Sequence, residues 1–374
     1  MARSRTLLDG DQPLTGPAVV DPAADRLFVA RERDVAAVDL VDGGLAWTFE
    51  PSFHLGDGGL ALIDGTVYVG AHDDRVYAVD AATGRSRWRT RTRGGREATS
   101  AEQELPAPGF DGSGPYCPLT GGSVQATPAV AGDEVVVGAD DGRVYGLGVA
   151  GGGERWVVET GARVWARPAV TADGAYVGST DGNCYAVADG ERRWAYPLGE
   201  AVVAAPVPVR DGDGPRHRSN GWNRSLGSTG DRNPGDCDSP STVVVGALDG
   251  PVVALDTTRT ERWRAATPGV TALSVAGGTA YVAGSETLTA LDLATGDRLW
   301  TAPINTRGDT APRLRDGDVY VGTHDDAAVA VDAATGRRRW VADAEDTVTV
   351  VAHVEDRVVV GDRAGVVRSH PTPL

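Results

Sequence analysis

The chain has 374 residues, a formal net charge of −16 and an isoelectric point near 4.8, with no lysine: every basic residue is arginine. Such a surface repels polyanions and shows no basic patch with interleaved aromatics, which excludes nucleic acid as a partner, and no apolar run approaches the roughly 20 residues of a membrane helix, which excludes helical insertion. Excess aspartate without lysine fits a cytoplasm of molar salt, where a hydrated acidic surface keeps protein in solution, so a halophilic, cytoplasmic monomer is expected.

Taken in order, the first residues, Met1 to Thr6, carry no apolar h-region and no lipobox-like cysteine, so no secretory signal is expected. A first inner strand is predicted at Pro17–Val20, and a divergent repeat unit follows at Arg26–Trp47. The clearest unit is Val67–Trp88. Its two short apolar runs, Val67–Val69 and Val76–Val79, are split by Asp73-Asp74-Arg75, which is hairpin chemistry. A second turn at Ala82-Thr83-Gly84 offers glycine for a left-handed position, and a third strand carries Trp88.

The same unit returns at Glu134–Trp156, Ala175–Trp194, Val243–Trp263, Ala280–Trp300 and Val319–Trp340, with a truncated copy at Val358–Ser369. Spacings between the tryptophans that end successive repeat units, 41, 68, 38, 69, 37 and 40 residues, put an insertion of about 30 residues in two units. One more apolar run precedes each hairpin, as at Pro128–Ala131, Pro168–Thr171, Ala205–Val209, Thr271–Ala276 and Ala311–Leu314. Four strands in about 40 residues make a propeller blade, and middle strands apolar on nearly every residue fit sheets covered on both faces. The expectation is one all-β domain over residues 1–374: an eight-bladed propeller of four-stranded antiparallel blades.

The last unit lacks a fourth strand, so residues 3–9 are expected to close the ring as its outer strand, with Thr6 near the place of the missing tryptophan. The insertions are expected as surface loops: 93–123 between blades two and three, holding Cys117, and 211–240 within blade five, holding His217, Trp222 and Cys237. Strand order puts them on opposite faces of the ring, which argues against a Cys117–Cys237 disulfide, as does a reducing cytoplasm.

The phrase Asp-Gly-x-Val-Tyr-Ala-Val-Asp-x-x-Thr-Gly-x-x-x-Trp stands, with departures, at Asp74–Trp88, Asp141–Trp156, Asp181–Trp194 and Asp326–Trp340. It resembles the repeat of the quinoprotein (PQQ-like) β-propellers, a family that holds pyrroloquinoline-quinone alcohol dehydrogenases and the lipoprotein of the outer-membrane barrel-assembly machinery. The resemblance covers nearly the whole chain apart from the insertions. It implies that Trp47, Trp88, Trp156, Trp194, Trp263, Trp300 and Trp340 lock neighbouring blades together. The quinone enzymes add a vicinal disulfide, a calcium site of Glu, Asn and Asp, and a catalytic Asp. Here Cys117, Cys184 and Cys237 are far apart, so no cofactor is expected, and quinone with calcium is the less favoured alternative.

Other chemistry is sparse. No Walker loop or Gly-x-Ser-x-Gly elbow is present, and His54, His72, His217, His324, His353 and His370 show no metal-ligand spacing. The period of the Asp-Asp and Asp-Gly pairs marks them as turns, and Cys184, inside a strand, reads as a buried thiol. What breaks the repeat near the channel is Trp165, Arg167, Arg307, Asp309, Gln125 and His54, with Asp57 and Glu345-Asp346 beside them. Trp165 and Arg167 could stack and pair with a planar anion, or cover the core and pair with an aspartate. A non-catalytic scaffold binding a protein partner is expected. A quinone-dependent dehydrogenase and a small-molecule or sugar sensor at the channel mouth are the alternatives.

Overall fold

Runs such as Val67–Val69 and Val76–Val79 have no polar side to show to water, and the computed structural model shows what covers them. It describes residues 4–10, 12–56, 58–94, 121–210, 240–267, 269–306 and 310–372, so Cys117, Cys237 and most of both insertions lie outside. The described chain forms eight four-stranded antiparallel sheets arranged as a propeller. Strands run in sequence order from the inside outward in blades one to seven. From blade one to blade six, and between blades eight and one, first strands of consecutive blades touch each other, as Ala129–Ala131 touches Ala169–Thr171, and first strands so line a central channel.

The core lies between blades. Phe28, Val35 and Ala37 of blade one pack on Val69, Tyr77 and Val79 of blade two, and the same layering recurs around the ring. Each middle strand is therefore buried on both faces, which is why it does not alternate. The first strands are short: Val19–Asp21 stands where Pro17–Val20 was expected, and Arg313–Arg315 where Ala311–Leu314 was. Among the described residues no helix is long and apolar enough to cross a membrane.

Each outer strand of blades one to seven places its tryptophan opposite a small residue, Trp88 on Ala78 and Trp156 on Gly146, beside a register shift. From there the ring reaches the next blade's outer turn. Nε1 of Trp47 donates to Ala81 O at 3.0 Å, and that of Trp88 to Val149 O at 2.7 Å. Trp194, Trp263 and Trp300 likewise donate to Thr257, Leu293 and Ala333 carbonyls at 3.1, 2.8 and 2.8 Å. Trp156 donates instead to Glu134 of its own blade, because the next turn, Ala188–Glu191, is too short to offer that carbonyl. Trp340 meets His370 edge-on at 6.1 Å, where blade eight has chain ends in place of a turn.

Blade eight is closed by Arg5–Asp9, which pairs with Val366–Pro371 and buries Leu7 and Leu8 among Val350, Val367 and Leu27. The register corrects one detail. Arg5, not Thr6, stands opposite Ser369, the counterpart of Ala78 beneath Trp88. A bulge between Thr6 and Leu8 holds one extra residue, so counting back from Ala18 falls short by one. Arg5 also reaches where a tryptophan would, donating to the Val41 carbonyl at 2.5 Å and to that of Asp42 in the outer turn of blade one.

Candidate functional site

Alternating strand direction sends the turns between second and third strands, and the connections between blades, to one face of the ring. That face collects the residues that depart from the repeat. The turn after Glu134–Gly138 carries Asp140, whose Oδ1 accepts from Trp165 Nε1 at 2.7 Å and whose Oδ2 accepts from Gln125 Nε2 at 2.8 Å. Gln125 and Trp165, 40 positions apart, arrive on the connections that enter and leave blade three. Burial pushes the Asp140 carboxyl up to about 6, against the pull of those two hydrogen bonds and of Arg163. The Arg163 guanidinium lies 5.6 Å over the Trp165 ring, a cation–π contact.

The neighbouring aspartate has a different task. Asp141 accepts from the phenol of Tyr145, four residues on; Asp73 does the same for Tyr77 at 2.5 Å, and Asp181 for Tyr185. The apparent carboxylate pair is thus one turn-locking residue next to one that faces the ring mouth.

His54 continues the arc toward blade one, with Nδ1 3.7 Å from Glu32 Oε1, an ion pair only when the ring is protonated. His72 accepts or donates at Nδ1 to Ser123 Oγ at 2.9 Å, and burial, with His54 nearby, pushes its pKa down. Glu345 pairs with Arg368 in blade eight. Burial, with the charge of nearby Arg167, lowers the guanidinium of Arg313, on the inner strand of blade seven, to about 10. Arg307, Asp309 and Asp57 lie outside the described residues.

Of the residues singled out from sequence, the structure therefore joins Gln125 and Trp165, puts His54 beside Glu32, and relates Arg167 to Arg313. Sequence reasoning missed Asp140 and Arg163. The signal for Asp140 was available, since the first turn residue does not follow the repeat: it is His72, Asp140, Thr180 and Leu248 in successive blades.

Quinone with calcium fits this mouth poorly. Both Asp140 oxygens are committed to neighbours, and Arg163 already lies over the Trp165 ring where a flat cofactor would stack. Cys184 is fully buried inside its strand, and burial pushes its thiol up to about 12.

The family described as outer membrane protein assembly factor BamB matches residues 31–215 and 248–370. A quinohemoprotein alcohol dehydrogenase of Comamonas testosteroni is 35% identical over 94 residues, 22% of this chain and 13% of that protein, so the match spans a small part of that relative. Among solved structures, BamB from Moraxella catarrhalis superposes with a TM-score of 0.70 at 18% identity, over 99% of this chain and 98% of that one. The computationally designed protein Ika8 gives 0.69 at 16% identity, over 98% of each chain. Quinohemoprotein alcohol dehydrogenase ADHIIG from Pseudomonas putida HK5 gives 0.69 at 14% identity, over 99% of this chain and 77% of that one. At such identities the superpositions speak for the fold.

Proposed function

The chain belongs to the family described as outer membrane protein assembly factor BamB, and from that premise we propose that it is a non-catalytic binding propeller holding a protein partner on the mouth face of its ring. The observation that carries this reading is the Gln125–Asp140–Trp165 constellation, in which the buried carboxylate is held from two sides by side chains of the flanking connections. A carboxylate so engaged fixes the shape of a surface; it is poorly placed to take a substrate proton or a metal. Phe53, 43% exposed and edge-on to His54 at 4.8 Å on the same face, supplies an apolar anchor of the kind that dominates interfaces.

The test is a photo-crosslinking amino acid at position 53, compared with one at the still more exposed Leu299 on an outer strand, in cells grown in molar salt. One recurrent adduct from position 53, absent from 299, is expected; equal adducts from both would discard the mouth face as the binding surface. The same experiment, fractionated, tests the cytoplasmic setting that the lysine-free acidic composition supports. Quinone dependence is the second reading, favoured by the Comamonas testosteroni match. Saturable stabilisation by pyrroloquinoline quinone with Ca²⁺ in molar KCl, lost in Trp165→Ala, would replace the scaffold reading with it.

A further inference from the structure

On the channel side of the gap between blades seven and eight lie two buried nitrogens with no hydrogen-bond partner among the described residues: Nη1 of Arg313 and Nε2 of His353. They face each other by strand parity. On the inner strand Arg313–Arg315, Leu314 packs back on Tyr281 and Leu288 of blade six, so Arg313 and Arg315 point toward blade eight. Arg315 accordingly donates to the Glu355 carbonyl there. On the inner strand Val348–Val354, Ala352 packs toward blade one and Val351 toward blade seven, which sets His353 on the blade-seven side. Its ring stands 4.4 Å from Tyr320, the residue opposite Arg313 in the sheet register.

A guanidinium keeps its proton in a protein, so burying Nη1 of Arg313 without an acceptor costs free energy that an anion would return. Arg167 brings a second positive charge toward Arg313 from blade four. Burial, helped by the charges of Arg315 and Arg313, depresses His353 to about 3, so its ring is neutral and can offer one N–H. Arg313 is half-buried on a strand that lines the channel, which gives a ligand its way in.

We propose that Arg313 and His353 form a binding site in the channel wall for a compact oxyanion, a carboxylate or a phosphate. A planar fork and an imidazole N–H on separate strands call for several acceptor oxygens with directional lone pairs, more than for a spherical halide.

The test uses the full chain at constant ionic strength in KCl, titrated with inorganic phosphate or acetate. Calorimetry and the imidazole ¹⁵N resonances of His353 are the readouts. Saturable binding with a shift at His353 is expected, and the better ligand of the two assigns phosphate or carboxylate. Arg313→Gln is expected to weaken binding by about tenfold or more, as loss of a charged hydrogen bond does. Arg313→Lys, which keeps the charge and loses the fork, is expected to weaken it too and serves if the glutamine variant does not fold. Arg338→Gln, on an exposed outer strand, is expected to bind as the parent does. Unmoved His353 resonances with both anions, an equal response to chloride alone, or undiminished affinity in the Arg313 variants would each overturn the site.

Discussion

The indole ring of Trp88 lies over the backbone of Gly152 in the next blade so closely that a methyl group there would stand 2.5 Å from the ring's Cε3. The same relation joins Trp47 to Gly84, Trp263 to Gly296 and Trp300 to Gly336, each glycine with φ between +70° and +76°. The Thr-Gly of the repeat and its tryptophan are thus two halves of one joint, made between one unit and the next.

Gly152→Ala breaks the joint twice over, since φ is +69° and the ring occupies the space of the new methyl. The left-handed backbone alone costs alanine about 1–2 kcal/mol, so chemical denaturation is expected to show a larger loss than that. An unchanged midpoint would mean that the ring is not seated there.

Arg259 offers the opposite experiment. It holds φ +76° in the turn that receives Trp194, where other blades have glycine, and its Nη1 makes only an exposed 3.3 Å bond to Ala195 O. Arg259→Gly is expected to stabilise the ring by up to about 1 kcal/mol, the relieved backbone strain less the added freedom of the unfolded chain. A lower melting temperature would count against this.

Asp140 titrates near 6 in the folded chain against 3.8 for the free group, so between those values the folded state holds the extra proton. Its contribution to stability is complete below about pH 4 and is lost as pH rises through 6, amounting to about 3 kcal/mol at most. Asp140→Asn removes that titration. Denaturation at pH 4, 5, 6 and 7 is expected to show the variant gaining on the parent across this window; a constant difference would mean that Asp140 ionises at its ordinary pH.

Ring closure is tested by deleting residues 1–10. Leu7 and Leu8, 4% and 6% exposed, fill the gap between blades eight and one, and truncation of a buried leucine costs about 2–5 kcal/mol. A single cooperative transition at lower temperature is expected, because the lost strand leaves both neighbours of the seam uncovered. An unshifted main transition with a small early phase would instead mean an end that frays. Arg5→Ala, on an exposed side chain, is expected to cost less than about 1 kcal/mol.

Much of the fold was legible in the sequence because a repeat states its own structure several times. Turn residues at Asp73-Asp74 and Gly84, apolar runs of β-branched residues and the spaced tryptophans all point to four-stranded blades covered on both faces. Even closure by the N-terminus followed, since an unpaired last blade requires a strand. Thr6 was one residue off because a bulge changes register without any mark in composition.

The candidate site was legible only in part. Trp165 and Gln125 stood out by breaking the period, whereas Asp140 stands beside Asp141 in one turn, where only comparison across the repeats, not the local pair, marks the carboxylate that turns inward. Arg313 and His353 lie 40 positions apart and meet because two inner strands of opposite parity face one gap. By itself the sequence determined the blades, through local propensity and a repeating pattern of burial. Which side chains share a gap, and which buried groups go unsatisfied there, was decided by the closed ring, because facing is a property of how the sheets pack and not of any one unit.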